Sequence, residues 1–468
     1  MVVFIGNFEH YFTFKYLKMK KFVVFVFCSF FTQISVAQTP KWVSLFDGKT
    51  LNGWKQLNGK AKYTIEKNEI VGTTVADTPN SFLCTEKEYG DFILELELKV
   101  DNSMNSGVQF RSLSKPDFKD GRVHGYQMEI DPSERAWSGG VYDEGRRDWL
   151  YNLNINQKGR LAFKKDTWNT YRIEAIGSTI RTWINGIPTA HLIDDMTDKG
   201  FIALQVHAIG KDQKAGTQIR WKNIKIQTEN LKSSPIDDCP VINWTLNTIS
   251  AQEKAQGFKM IFNGQNFDGW RKVHGTDKPN SRWKAENGIL SVGSSDGSET
   301  GNDIVFNEKF GAFELVFDFK LTEGANSGVK YFIDEKYDSG GKSGVGLEYQ
   351  VLDDEKHPDA KMGVVGNRTM SSLYDLIPAT KLDKRFQRKI GDWNQARVIV
   401  FPNNTVQHWL NGFKVLEYER KSNIYKALVA RSKYAKYEGF GAADKGLILI
   451  QDHGDTVFYK NLKIREIK

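Results

Sequence analysis

The sequence predicts an all-β protein built as two β-sandwiches in tandem. Three observations predict it. Blocks from the first half return in the second half in the same order. Apolar residues alternate with period two, and long amphipathic helices are missing. The 468 residues include 30 Phe, 12 Trp and 41 Gly but only 11 Pro, the balance of short strands joined by tight turns. At ~100–200 residues per domain this length gives two or three domains. Roughly 200 residues per copy suits a two-sheet sandwich.

The chain opens with the pattern of an export signal. Met19-Lys20-Lys21 is a basic start, and Phe22 to Phe31 is an apolar run too short to span a bilayer comfortably, with an anchored, uncleaved segment as the alternative reading. Ser35-Val36-Ala37 places small residues before a cut ahead of Gln38. Residues 1–37 are read as signal peptide, with Met19 as an alternative true start. The mature protein is expected to be periplasmic or secreted. No later stretch reads as a membrane span.

Composition excludes one class of partner. The formal charge is +8, and residues 1–37 hold four lysines and one glutamate, so about +5 remains after them. Basic and acidic residues interleave throughout, which is no nucleic-acid footprint. Cys28 leaves with the signal, so Cys84 and Cys239 remain. Export permits a disulfide between them; two separate thiols is the reading preferred. No Cys/His cluster of zinc spacing is present.

The repeat defines the domains. Phe46-Asp-Gly-Lys-Thr-Leu-Asn-Gly-Trp54 matches Phe262-Asn-Gly-Gln-Asn-Phe-Asp-Gly-Trp270. Asn105-Ser-Gly-Val matches Asn326-Ser-Gly-Val, Trp183-Ile-Asn-Gly matches Trp409-Leu-Asn-Gly, and Gln205-Val-His207 matches Gln451-Asp-His453. This is a duplicated domain and not a short-period solenoid. The first copy spans 38–228 and the second 257–468. The linker, 229–256, contains Leu231–Val241 with its turn residues, then Ser250-Ala-Gln-Glu253, a capping box opening one short helix.

Individual strands follow. Phe92-Ile-Leu-Glu-Leu-Glu-Leu-Lys-Val alternates and buries one face. Tyr171–Ile176 and Thr179–Ile184 form a hairpin about Gly177-Ser178. Asn185-Gly186 accepts the positive φ of a type I′ turn.

The densest set of carboxylates, arginines and aromatics lies between Asn105 and Tyr151. In Tyr126–Asp131, parity puts Gln127, Glu129 and Asp131 on one face, with Tyr126, Met128 and Ile130 on the other. Gln109 and Arg111 alternate onto one face of the preceding strand. Gln205 and His207 form the polar side of theirs. In the second copy Glu348 and Gln350 share a face, Lys330 and Phe332 replace Gln109 and Arg111, and Gln451 and His453 repeat the histidine strand. Acid and amide therefore exchange places between the copies. A polar sheet face is ordinarily just solvated. Recurrence of acid, amide and His in both copies, with Trp137, Tyr142, Trp149 and Tyr151 crowding one loop, points instead to a sugar site. For His207 and His453 a structural histidine competes with a base or ligand. Asp143, Arg146 and Arg147 read as a surface salt-bridge cluster, and Gly107 and Gly328 as points of tight packing.

These blocks carry a family resemblance. FDGKTLNGW, YGDFILELELKV, NSGVQFRS, GYQMEID, WNTYRI, WINGIPT and KNIKI resemble the 3-keto-disaccharide hydrolase domain family. FNGQNFDGW, NSGVKYF, EYQVLDDE, WNQARV, HWLNG and LILIQDHGD resemble it again, and the two stretches cover nearly all of Trp42 to Lys468. The resemblance implies concanavalin A-like jelly-roll sandwiches in exported proteins, acting on glycosides oxidised at C3. A sugar oxidoreductase that oxidises C3 is the implied partner. The second copy departs from the pattern at Phe332, the first at Val206-His207-Ala208, where Asp-His-Gly is usual.

The chemistry of such a substrate is elementary. A C3 ketone acidifies the C2 proton, a base removes it, the C1 substituent leaves, and water adds back. The reaction needs a base, a stabiliser for the enolate oxygen, and an acid for the leaving oxygen. The catalytic candidates are Glu129, His207, Arg111 and Asp131 in the first copy and Glu348 and His453 in the second. Substrate-binding candidates are Gln109, Gln127, Trp137, Tyr142 and Gln205, then Lys330, Gln350, Tyr374, Gln451 and Asp452. A divalent cation held by Glu129, Asp131 and His207 is an alternative stabiliser, although no ligand spacing demands one. Because only the first copy keeps an arginine beside its acidic strand, it is expected to do the chemistry. The Asp-His-Gly ending of the second argues the opposite.

Two rival functions remain. Glu129-Ile-Asp131-Pro-Ser-Glu134 resembles the E-x-D-x-x-E signature of jelly-roll β-glucanases, with Glu129 and Glu134 as the retaining pair. The other rival is a tandem carbohydrate-binding module of laminin-G or lectin type.

Overall fold

Alternation builds each core. Phe92, Leu94, Leu96 and Leu98 point inward and meet Phe110, Tyr126, Met128 and Ile130 from the opposite sheet, all essentially inaccessible to water. Each such side chain contributes on the order of 1.5–3 kcal/mol. Phe313, Leu315, Phe317 and Phe319 repeat the arrangement against Tyr331, Tyr349 and Val351. A computed structural model describes residues 41–293, 302–337, 343–381 and 386–468. The export signal read at 1–37 lies outside the described residues. Among these, no helix is long and apolar enough to cross a membrane.

Each copy is a jelly-roll β-sandwich. In the first, a nine-stranded sheet centred on Phe92–Val100, Asn169–Ile176 and Gln218–Gln227 covers a seven-stranded sheet. The seven run Asp148–Tyr151, Val141–Glu144, His124–Ile130, Ser106–Leu113, Phe201–Val206, Ser81–Thr85, Trp54–Asn58. In the second, an eight-stranded sheet centred on Phe313–Leu321 covers a five-stranded one: Trp270–Lys272, Ile304–Phe310, Gly446–Ile450, Asn326–Ile333, Leu347–Leu352. Among the described residues, no sheet mixes strands of the two copies. The hairpin turn at Asn185-Gly186 has φ of 51° and 79°, and Asn411-Gly412 repeats it at 49° and 80°.

The linker is more than a spacer with one helix. Val241–Asn243 adds as a parallel edge strand to Ile187–Ile193. The helix Ala251–Ala255 follows, with Ser250 and Glu253 making the reciprocal capping box. Glu253 also pairs with Lys463 of the last strand, both buried. Direct contacts join the sandwiches: Asn152 donates to the Asn411 carbonyl (3.0 Å), and Arg388 donates to the carbonyls of Arg147 (3.0 Å) and Trp149 (3.1 Å). Cys84 and Cys239 are buried, separate thiols.

One strand breaks the period-two reading. Arg111 has φ of 44° and sits in a bulge where the register with both neighbours shifts. The extra residue re-aims the side chain. Arg111 therefore leaves the face of Gln109 and donates to the carbonyls of Gly90 (2.9 Å) and Gly177 (2.8 Å) and to Asp91 (2.8 Å). It ties the sandwich together and is not a site residue. Phe332 occupies the same bulge in the second copy (φ 54°), and there Arg420 lies 3.7 Å over its ring. Arg420 donates to the Gly441 carbonyl (2.8 Å) and to Asn404 (3.0 Å), so a guanidinium from another strand does comparable fastening.

Candidate active site

Strand register places the candidate residues. Gly107 pairs with Glu129 and Gln109 with Gln127; in the second copy Gly328 pairs with Gln350 and Lys330 with Glu348. The exchange of acid and amide read from the sequence is thus real in space. Both glycines are required. A Cβ on Gly107 would lie 2.2 Å from the Gln127 amide carbon, and one on Gly328 would lie 2.2 Å from Glu348 Oε1. The adjoining asparagines fix the neighbouring polar groups: Asn105 donates to Glu129 (2.7 Å), and Asn326 accepts from Gln350 (3.1 Å).

In the first sandwich this surface is closed. Gln109 donates to Gln127 (2.6 Å), which donates to Glu129 (2.9 Å). Arg135 covers the end of the relay, holding Asp131 through Nε (2.7 Å) and reaching Glu129 through Nη2 (3.4 Å). Its guanidinium lies 4.5 Å over the Trp137 ring. Burial pushes Glu129 up to about 7, against the hydrogen bonds from Asn105 and Gln127. Burial also raises Asp131, but Ser133 and Arg135 outweigh it and hold Asp131 below the usual range. Gln205 is buried on the same face with its Oε1 lacking a hydrogen bond.

Several expected members are elsewhere. His207 follows the strand end, exposed, with Nδ1 2.8 Å from the Ala208 carbonyl. It forms no ligand cluster with Glu129 and Asp131, so that metal set is corrected. Trp137 is buried at the junction of the sandwiches, edge-on to Trp149 (4.6 Å) and Phe413 (5.6 Å), and offers no ring to a sugar. Tyr142 is half-buried and donates to Asp148 (2.8 Å). Glu134 lies exposed on the turn after the strand has ended at Ile130, which removes the shared strand face that a Glu129/Glu134 pair needs. Asp143 is fully buried under Arg146 and Arg147, so that ion cluster is interior and not superficial.

Glu129 gives a testable pH effect. Its carboxyl titrates near 4.5 when unfolded and about 7 when folded. The native state thus keeps a proton that the unfolded state has lost. The stability contribution is complete below about pH 4.5 and is lost as pH rises through about 7, at about 1.4 kcal/mol per pKa unit of difference. The urea midpoint of the wild type should fall on going from about pH 5 to about pH 7.5 by more than that of Glu129→Gln; parallel pH profiles would refute this.

The second sandwich is open. A cavity of about 270 Å³ is lined by Lys330, Glu348, Gln350, Tyr374, Gln451 and His453, all expected from the sequence. Lys330 lies on the floor, donating to the Gly344 carbonyl (3.2 Å) and facing Asp303 (3.6 Å). Burial raises the Glu348 carboxyl above its ordinary range; Lys330 and Lys433 oppose the shift, and Asp303 adds to it. Tyr374 donates to Asp359 (2.8 Å). Asp452 is corrected from binding to structure: it is buried and clamped by Arg282 through Nε (2.7 Å) and Nη2 (3.0 Å).

His453 stands at the rim with two residues missed in the sequence. One ligand atom from each of His357, His453 and Asp455 falls within 4.8 Å of the others. Asp455 already accepts from the Asn326 amide (3.0 Å), and His357 Nδ1 accepts from the Asp359 amide (3.2 Å). With Nδ1 accepting, the neutral His357 ring carries its proton on Nε2, so His357 would hold a cation only after that bond is exchanged; two imidazoles with one carboxylate are a donor set suited to a divalent transition metal.

A family model described as 3-keto-alpha-glucoside-1,2-lyase-like domain matches residues 41–227 and again 257–465. The chain belongs to that family, in two tandem copies. A 3-keto-disaccharide hydrolase of Bacteroides thetaiotaomicron is 34% identical over 243 residues, 47% of this chain and 82% of that protein. A candidate glycosyl hydrolase from Parabacteroides distasonis, known as a crystal structure, is 28% identical with a TM-score of 0.42, over 48% of this chain and 100% of its own. The carbohydrate-binding module CBM66 of Bacillus subtilis is 17% identical, with a TM-score of 0.29, over 37% of this chain and 95% of its own.

The cavity of the second copy is also lined by a further set of residues: Lys433, Tyr434, Lys436 and Tyr437. Their sequence signal was the alternation of cation and aromatic in KYAKY. His357 had no such signal, being brought to His453 and Asp455 by the fold.

Proposed function

We propose that this carbohydrate-active protein cleaves glycosides bearing a ketone at C3, and that the second sandwich does so. The observation that carries the reading is the open cavity with Glu348 and Lys330 paired on its floor and His453 at its rim. Family membership and the name of the Bacteroides relative support the substrate class.

Glu348 is the base. Burial raises its proton affinity, which suits a carboxylate that must take a weakly acidic C–H proton. The C2–H bond breaks and its electrons form the enolate. The enolate then expels the C1 oxygen, the C3 carbonyl re-forms, and C1=C2 is left. The proton on Glu348 is delivered to the leaving oxygen. Water adds across C1=C2 to complete hydrolysis. Lys330, opposite Glu348 in the strand register, supplies the positive charge that most opposes the rise of its carboxyl. Tyr374 and Gln451 line the wall as sugar contacts. A divalent ion held by His357, His453 and Asp455 would polarise the ketone oxygen. A substrate of this kind requires a sugar oxidoreductase acting at C3 upstream.

The test is incubation of the full chain in deuterated water with a 3-keto-glucoside and the matching plain glucoside. Cleavage of the ketone alone, with deuterium entering at C2, is expected. Cleavage of the plain glucoside at a comparable rate would overturn the reading in favour of an ordinary glycosidase. Loss of activity on chelation, restored by a divalent metal, would assign the His357, His453, Asp455 set.

A further inference from the structure

The second copy contains a segment that the first lacks. In the first, residues 194–200 connect Ile187–Ile193 to Phe201–Val206; in the second, residues 420–445 connect Phe413–Glu419 to Gly446–Ile450. The longer segment is firmly built. Ser422 caps the helix Asn423–Ala430, and Ser432 caps the turn Lys433–Lys436. Tyr434 stacks on Phe440 at 4.1 Å with ring planes 10° apart. Tyr425 donates to the Phe440 carbonyl (2.8 Å), and the Lys433 amide donates to Asp375 (3.1 Å).

This segment carries two ammonium groups to the cavity. Lys433 lies 4.1 Å over the Tyr374 ring and Lys436 lies 5.1 Å over Tyr437. Among the described residues neither forms an ion pair. The acids around them are already committed. Asp303 faces Lys330, Asp359 and Asp375 share Arg368, and Asp452 is held by Arg282. Among the described residues that line the cavity, Glu348 is the one carboxylate, and it is buried on the floor. The cavity thus presents positive charge at its wall, beside aromatic surface. Lysine binds an oxyanion as a flexible point charge, a suitable way to hold a carboxylate at a variable position.

We propose that this cavity takes a glycoside carrying a carboxylate, bound by Lys433 and Lys436 at its wall. The proposal rests on the second sandwich being the substrate site. It adds a substrate class, acidic glycosides, that the shared family fold does not require, because the lysines come from a segment absent from the first copy. The carboxylate belongs either to the sugar, as in a uronic acid, or to the leaving part.

Binding of unoxidised glycosides separates this from the cleavage chemistry. Calorimetry on the full chain would use phenyl β-D-glucuronide, 4-carboxyphenyl β-D-glucoside and neutral phenyl β-D-glucoside. At low salt one of the acidic probes is expected to bind about tenfold tighter than the neutral one, and which probe gains identifies where the carboxylate sits. The gain should shrink in 0.5 M salt, since screening acts on such charges, and should vanish in Lys433→Gln/Lys436→Gln. Equal affinities, a preference that survives in the double variant, or no binding of either acidic probe at millimolar concentration would overturn the proposal. The neutral 3-keto-glucoside assay reports on the chemistry independently of that outcome.

Discussion

Glu348→Gln is expected to lower cleavage of a neutral 3-keto-glucoside by about 10²- to 10⁴-fold, the range of a positioned general base. The change removes the proton acceptor while keeping the side chain that fits over Gly328. The matching change in the first copy, Glu129→Gln, should leave the rate near wild type. Glu129 already spends both oxygens on Asn105 and Gln127 and lies under Arg135. The comparison therefore also decides which copy works. The sequence favoured the first because it keeps Arg111. That argument loses its basis once the bulge turns Arg111 toward Asp91 and Gly177. A large loss in Glu129→Gln together with full activity in Glu348→Gln would return the chemistry to the first sandwich.

The largest expected stability effect lies in the linker. Glu253→Gln should destabilise the protein by about 3–5 kcal/mol, the cost of leaving one member of a buried ion pair without its partner. Glu253 and Lys463 are 2% and 3% exposed as side chains. Glu253 also accepts from the Ser250 amide (2.8 Å) and Asn243 (3.0 Å). Burial alone would raise its carboxyl, but the Lys463 charge and these hydrogen bonds hold it below the ordinary range. The stabilisation is therefore present above the unfolded carboxyl's pKa and is lost as pH falls through the depressed folded value. Denaturant titration should show a lower midpoint for Glu253→Gln at neutral pH, and a difference that narrows in acid. A loss of only a few tenths of a kcal/mol would reduce Glu253 to a surface helix cap.

That residue also marks how far the sequence reaches. Ser-x-x-Glu announced the helix cap, because capping is a contact between residues three apart. Lys463 lies 210 positions away, and nothing local ties it to Glu253. The same division runs through the site. Strand parity put Gln127 with Glu129 and Glu348 with Gln350, and the duplication set their register, since a strand's two faces are fixed by backbone geometry alone. The glycines of Asn-Ser-Gly were legible as close packing for the same reason.

Parity failed where backbone conformation departed from the strand. Arg111 and Phe332 sit at positive φ in a bulge, and neither is a residue type that signals one. His207 and His453 were paired by motif, yet it is His453 that gains partners, because His357 arrives from another loop to join His453 and Asp455 on theirs. Trp137 read as a sugar platform until the second sandwich packed Phe413 against it. The sequence by itself determined the tandem sandwiches, the strand faces and the acid–amide exchange, all of which depend on neighbours along a chain or a repeat. Only the tertiary structure decided which copy is open, which carboxylates are already paired, and which lysines are left facing the cavity. Those outcomes depend on contacts between segments far apart in sequence.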